Sequence, residues 1–426
     1  MTVTRLHLAA APPGSGAADG PGTAVWGGAP AGARLAFAGF ERLARTAERG
    51  LFDFLLLDEE PRLPEHRGRL HEPDPVGGPE PVAVLNALAG VTVHLGLAAT
   101  VDAAHGEPYE LARRLATLDH LSAGRAGWRV AASAGPRAGA DPRSAGHPDP
   151  YGRAAELIGV ARRLWDSWSP GGVPRPFAYR GRHFDIAGEF GLPRSPQGRP
   201  VVIQAGESER ARELAAASAD VLLVQHAAPE PARARYADVK RRLAAHGRTP
   251  RDLKVMSPVT VVLGDTAAEA RERAAGIRRR RITPGYALYA LERVWGTDLS
   301  GYDPDGPLPE TDPDTRDPRT RALAARWRAL AREKGLSVRE TVIEVSGRQS
   351  FVGTPDTVAA DLHRYAGEGA ADGFVLVPQL PADGLEEFVD RVVPLLQERG
   401  AFRTEYRGGT LRSHLGLAHP AAESRT

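Results

Sequence analysis

Six side chains of this sequence are of types that do chemistry and stand where folded chains present such groups: Asp58, Thr100, Arg129, His147, Tyr151 and Ser208. Asp58 closes the near-continuous apolar run Phe52–Leu57. A carboxylate there is either a helix N-cap or loop residue, or a ligand contact at the open end of a buried strand. Thr100 ends a second apolar run, Val91–Thr100, and Arg129 lies with Trp128 and Ser133 in a third, Ala126 to Ser133. His147 and Tyr151 stand at i, i+4 spacing where a Gly/Pro/Asp-rich loop gives way to a helix over Arg153–Trp168. A lone histidine is more often structural than catalytic, and no second histidine lies nearby to suggest a metal site. The stretch Ala205-Gly206-Glu207-Ser208-Glu209 separates an apolar strand, Pro200–Gln204, from a helix, Arg210–Ala219. Small residues, a hydroxyl and a helix N-terminus gather free backbone N–H groups into a phosphate cradle. A plain N-cap serine accounts for the same pattern.

These residues need elements to position them, and the stretch Leu118–Ser133, LDHLSAGRAGWRVAAS, shows the repeating one. A helix with apolar period (Leu111, Leu115, Leu118, Leu121) stops at Ser122-Ala123-Gly124, and the short run after it is a strand. Similar joints recur. Strands are expected at Val3–Ala10, Phe52–Leu57, Val91–Thr100, Ala126–Ala132, Pro200–Gln204, Ala219–Gln225, Leu253–Leu263 (broken by Pro258) and Gly373–Val377. Helices are expected at Phe37–Arg49, with Gly50 as stop, Pro81–Gly90, Pro231–Ala244, Thr354–Glu368 and Gly384–Arg399. About eight strand–helix units close a parallel barrel, and polar residues at its strand C-termini face one site. The rhythm lapses at Ala134–Pro150, at Gly171–Arg199, which holds a small hairpin, and at a helical insertion over 264–350 with basic helices Ala267–Arg281 and Arg319–Lys334. Gly14-x-Gly16 follows a strand, but the next glycine, Gly20, comes one place late for a dinucleotide fingerprint.

Composition narrows the chemistry. The 426 residues fit one large α/β barrel domain with insertions, spanning 1–426. Fifty-five Lys+Arg balance 53 Asp+Glu to a formal charge of +2, and no basic run is interleaved with aromatics, so small-molecule chemistry is expected rather than nucleic-acid binding. The chain has no cysteine, which excludes disulfides, thiolate metal sites and a cysteine nucleophile; redox chemistry needs a bound cofactor. No apolar stretch approaches the ~18 residues of a membrane span, so a cytoplasmic protein without membrane contact is expected. Asn86 is the one asparagine, so sites that elsewhere use that amide must here use another group.

Taken together, AERGLFDFLLLDEE, EPYELARRLATLDHLSAGRAGW, YGRAAELIGVARRLWDSW, SPQGRPVVIQAGESERARELAA, AADGF and the C-terminal FRTEYRGGTLRSHLGL resemble the NtaA/SnaA/DszA group of flavin-dependent monooxygenases, within the bacterial luciferase-like superfamily. The blocks run in the same order over nearly the whole chain. The resemblance implies an α/β fold, a (β/α)8 TIM barrel with insertions, dimeric or tetrameric, that borrows reduced FMN from a separate NAD(P)H-dependent flavin reductase. It implies a C4a-peroxyflavin formed with O2 that oxygenates a small organic substrate. Residue by residue, it sets Asp58 and Thr100 near the flavin ring, His147 and Tyr151 toward the ribityl phosphate, and Ala205, Gly206 and Ser208 in the phosphate-side loop. His147 is also the candidate for proton transfer, because an imidazole titrates near operating pH.

The sequence departs from the family pattern at several places, among them the absence of the usual His near the N-terminal Trp26. Gly106 and Arg129 replace asparagines, Ala132 replaces a hydroxyl, and Glu207 stands where a small residue is common. At Arg129 an amide that donates and accepts becomes a cation that only donates, able to pair with the flavin phosphate or an acidic substrate. These changes leave open an oxygen-independent reaction on the same barrel, or a catalytically silent homologue that serves another chain as its partner. The substrate pocket is expected from the Trp26 loop, the 134–150 loop and the 264–350 insertion.

Overall fold

The structure, a computed structural model, describes residues 5–12, 36–58, 65–66, 69–70, 79–104, 106–132, 149–169, 172–345, 349–378 and 383–421. Ser133, His147, Trp26, His105 and most of the 134–150 loop lie outside the described residues.

Eight parallel strands close into a barrel: β1 (His7–Ala10), β2 (Phe54–Leu57), β3 (Gly96–Asp102), β4 (Ala126–Ala131), β5 (Val201–Ala205), β6 (Val221–Leu223), β7 (Lys254–Val259) and β8 (Gly373–Leu376). Neighbours in sequence are neighbours in space, and β1 completes the ring by pairing with both β8 and β2. Between the strands run α1 (Phe37–Arg49), α2 (Pro81–Ala89), α3 (Pro108–Leu121), α4 (Pro150–Trp165), α5 (Glu209–Ser218) and α6 (Pro229–Arg242). Proline opens α2, α3, α4 and α6, where its missing N–H is one the helix would leave unpaired anyway.

Alternation along the strands separates two buried layers. Ala9, Phe54, Leu56, Ala98, Val201, Ile203, Val221, Leu223, Met256 and Val375 pack together inside the barrel. Their neighbours Trp128, Val130, Val202, Leu222 and Val255 face α3, α4 and α5, with Trp128 edge-on to Trp165 at 5.9 Å. Consecutive residues point opposite ways, so Trp128 belongs to the outer layer while Arg129 points inward.

The C-terminal block stoppers the floor of the barrel. Its helix, Leu411–His414, sends Leu411 into the interior cluster together with Leu415. Arg412 pairs with buried Asp220 at 2.9 Å, and Arg403 with Asp53 beside His7. Gly96 and Gly127 leave room for this stopper: a Cβ would come within 2.6 and 3.2 Å of Leu411. At the same end, Arg125 donates to Thr92 and to the carbonyls of Ala89, Leu95 and Ser122. LSAGRAGW and FRTEYRGG thus both supply residues to the floor.

Several boundaries move from the sequence expectation. β3 begins at Gly96 rather than Val91 and runs two residues past Thr100. Pro258 sits within β7 opposite Val375, and the chain leaves the barrel at Thr260. There Val261–Leu263 turns to a separate parallel pairing with Phe351–Gly353. Helices α7 (Ala267–Arg281), α8 (Pro284–Trp295), α9 (Pro318–Lys334) and α10 (Val338–Val345) lie between those two strands in sequence; α8, α9 and α10 share a core around Trp295 and Trp327, while α7 packs Ala274 and Ile277 against Val262. α8 and α10 were not expected from sequence. After α11 (Pro355–Gly367) and β8, the expected last helix breaks at Val392 into α12 (Asp383–Arg391) and α13 (Val393–Glu398), because Pro394 lacks the N–H to continue it. Gly50 does cap α1, but at φ −78°; its lack of a side chain matters because a Cβ would meet Val389 at 2.6 Å. The excursion before β5 carries the antiparallel hairpin Phe177–Arg180/Asp185–Gly188. Among the described residues no helix is long and apolar enough to cross a membrane.

Candidate functional site

Strand register brings the first three candidates into one row. Leu57 pairs with Ala99 and Thr100 with Arg129, so Asp58, one residue past β2, reaches the level of Thr100 and Arg129 at the C-terminal rim of the barrel. Thr100 Oγ1 donates to Asp58 Oδ1 at 2.5 Å and accepts from Arg129 Nε at 2.8 Å. Arg129 Nη2 lies 2.7 Å from the same Asp58 oxygen. Both charged side chains are nearly buried, at 12% exposure for Arg129 and 4% for Asp58. A buried ion pair of this kind is tolerated when its remaining lone pairs and N–H groups are satisfied. One is not: Asp58 Oδ2 is buried and has no hydrogen-bond partner among the described residues. An acceptor left bare in a barrel mouth is a place for an N–H donor. Arg129, expected to meet a phosphate or an acidic substrate, instead has its charge engaged by Asp58.

The second cluster is on the adjoining stretch of rim. β5 ends at Ala205, paired with Leu223, and the chain turns at Gly206, whose φ of +132° is open to glycine alone. Ser208 then caps α5, its Oγ accepting from Ala211 N at 3.1 Å. The Tyr151 hydroxyl shares a 3.1 Å hydrogen bond with that Oγ. The first-turn N–H groups of Glu209 and Arg210 have no partner within the helix and add to the positive end of its dipole. Tyr151 is set by α4, which starts one residue earlier at Pro150 under an Asp149 cap.

Asp149, Arg182, Arg210 and Arg235 escaped the sequence reading. Asp149 accepts from Gly152 N at 3.2 Å and pairs with Arg210 and, at 3.5 Å, with Arg182. The Gly152 N–H, and then Arg210, hold its carboxyl below the usual carboxylate range. Arg210 also lies over the Tyr151 ring, 5.2 Å from its centre. Glu207 is paired with Arg235 of α6 at 2.5 Å. The Asp149-Pro150 pair was legible as a helix start, and Arg210 as a neighbour of Ser208. Arg235, 28 residues from Glu207, carried no local signal. The structure therefore unites Asp58, Thr100 and Arg129 in one cluster, and Tyr151 and Ser208 in another beside Ala205 and Gly206. Among the described residues no group of three or more His, Asp or Glu side chains is arranged to hold a metal ion.

A bare acceptor with an adjoining guanidinium suits a ring that presents N–H and C=O groups on one edge. The hydroxyl pair at a helix N-terminus suits a phosphate. These are the two ends of a flavin mononucleotide, and the residues fit that group.

The chain also matches known proteins. The family model described as luciferase-like monooxygenase matches residues 21–372. The chain is 37% identical to nitrilotriacetate monooxygenase component A of Aminobacter aminovorans, over 89% of this chain and 90% of that protein. It is 34% identical to dibenzothiophene-sulfone monooxygenase of Rhodococcus erythropolis, over 91% of each. Among solved structures, EDTA monooxygenase from Chelativorans sp. BNC1 superimposes with a TM-score of 0.73 at 28% identity, covering 97% of this chain and 99% of that one.

Proposed function

We propose that this chain, which belongs to the luciferase-like monooxygenase family, is the oxygenating component of a two-component, reduced-FMN-dependent monooxygenase acting on a small organic substrate. The observation that carries the reading is Asp58 Oδ2, buried next to Arg129 without a hydrogen-bond partner among the described residues, on the same rim as the Tyr151–Ser208 pair. A relative named as one component of a monooxygenase supports the division of labour with a separate NAD(P)H-dependent flavin reductase. When bound, reduced FMN supplies the electrons with which O2 is divided between substrate and water.

In this reading Asp58 Oδ2 accepts an N–H of the ring, and Thr100 and Arg129 fix the carboxylate that does so. The ion pair brings almost no net charge into the mouth, so it orients the ring without drawing water to it. Ser208, Tyr151 and the α5 N-terminus hold the phosphate, with Gly206 shaping the approach and Ala205 keeping the turn small. His147, which precedes α4 in the sequence and lies outside the described residues, is the residue proposed to move the proton to and from the reacting oxygen.

The test is anaerobic titration with reduced FMN, followed by rapid mixing with O2 in the presence of candidate substrates. Ser208→Ala with Tyr151→Phe is expected to weaken reduced-FMN binding at least about 10-fold, the loss of two hydrogen bonds to a charged group. Unchanged affinity in the double variant sinks the phosphate assignment. Absence of flavin binding by the unaltered protein sinks the cofactor reading altogether.

A further inference from the structure

Glu207 puts a carboxylate one residue from Ser208, inside the loop where the reading above brings a phosphate. Successive Cα atoms are ~3.8 Å apart, well within the ~8 Å over which physiological salt screens a charge, so an uncompensated Glu207 would repel that phosphate. The fold supplies a cation from the following βα unit. Arg235, on α6, gives Nη1 to Glu207 Oε1 at 2.5 Å and Nη2 to the Gln225 carbonyl at 2.6 Å. The Gln225 backbone N–H gives to the same Glu207 oxygen at 3.1 Å. The carboxylate is thereby fastened to the residues just past β6, and the guanidinium that neutralises it is itself only 14% exposed.

We propose that Arg235 is a positioning residue of the cofactor site: it cancels the charge of Glu207 and ties it to the end of β6, and by doing so makes the β5–α5 loop select phosphorylated over unphosphorylated flavin. The proposal rests on the reduced-FMN reading of the site. Its chemistry is electrostatic, so it is distinguishable from a clamp that merely stiffens the loop. Removing the arginine alone leaves a bare carboxylate beside the phosphate. Removing both charges leaves neither repulsion nor clamp.

The experiment compares reduced FMN with reduced riboflavin, which lacks the phosphate, by anaerobic titration of the full chain. Arg235→Ala is expected to weaken FMN binding by about 3- to 10-fold, in keeping with one partly screened charge, while riboflavin binding stays within about twofold. Glu207→Gln/Arg235→Ala is expected to return FMN affinity to within about twofold of the unaltered protein, and Arg235→Lys to keep it, because each restores local neutrality. Circular dichroism of every variant verifies folding, and Arg235→Gln serves should the alanine variant not fold. Equal losses for the two flavins, or a double variant as weak as Arg235→Ala, would overturn the proposal and leave the flavin reading standing. Failure of the unaltered protein to bind either flavin would overturn both.

Discussion

At the scale of single residues, the site is a problem of buried charge. Asp58 and Arg129 are acceptable inside the rim because each neutralises the other and Thr100 sits between them as donor and acceptor. Asp58→Ala strands the Arg129 cation and is expected to cost about 3 kcal/mol, read from urea unfolding. Arg129→Ala strands the carboxylate at a similar cost. The double substitution is expected to cost clearly less than the sum of the two, since no unpaired charge remains. Additive losses would mean that the pair is not coupled in solution. Of this cluster the sequence yielded the identities and not the contact: nothing about positions 58, 100 and 129 says that they touch, until the register of β2, β3 and β4 aligns them.

At the scale of elements, glycines reveal which contacts are close. A Cβ on Gly96 would lie 2.6 Å from Leu411 and 2.7 Å from the Asp53 carbonyl. Gly96→Val is therefore expected to cost about 1–3 kcal/mol or more by overpacking the floor, measured as a fall in thermal midpoint. Gly276, inside α7, is the opposite case: its nearest neighbour to a Cβ is the Arg280 guanidinium at 3.6 Å. Gly276→Ala is expected to stabilise by about 0.4–1 kcal/mol, chiefly by restricting the unfolded chain. The same reasoning explains the C-terminal helix. A four-residue helix has little stability of its own, and it persists because Leu411 is buried and Arg412 meets Asp220. Arg412→Ala leaves Asp220 buried without that partner and is expected to cost about 3–5 kcal/mol in unfolding experiments.

At the scale of the whole molecule, the buried histidines and aspartates set an acid response in two windows. Burial, with Arg235 nearby, drives His226 down from 6.5 to about 4, and burial also lowers His414. In the unfolded chain these imidazoles take up protons below their ordinary value while the native ones do not. Stability is then full at neutral pH and falls as pH drops from 6.5 toward 4. Asp53 is the reverse type. Burial works against its charge, but Arg403 and His7 prevail and bring it from 3.8 to about 2. Its contribution is present above 3.8 and is lost as pH falls from there to about 2. His226→Phe is expected to flatten part of the upper slope and leave the lower one in place, in unfolding free energies measured from about pH 7 to about pH 3. An unchanged upper slope would mean that His226 is not buried neutral in solution.

The sequence by itself determined the class of fold and most of its strands, because a strand buried on both faces reads as a short apolar run and its helix carries an apolar stripe with proline at the start. It misplaced what depends on partners: Val261–Leu263 continues the apolar run of β7 in sequence, yet leaves the barrel to pair with Phe351–Gly353. The site was legible as parts. Only the tertiary structure decided that Arg129 spends its charge on Asp58, that Asp58 keeps one oxygen bare among the described residues, and that Glu207 is answered by Arg235. The reason is physical: local pattern fixes which face a side chain leaves from, while its partner is set by the register and closure of strands far apart in the chain.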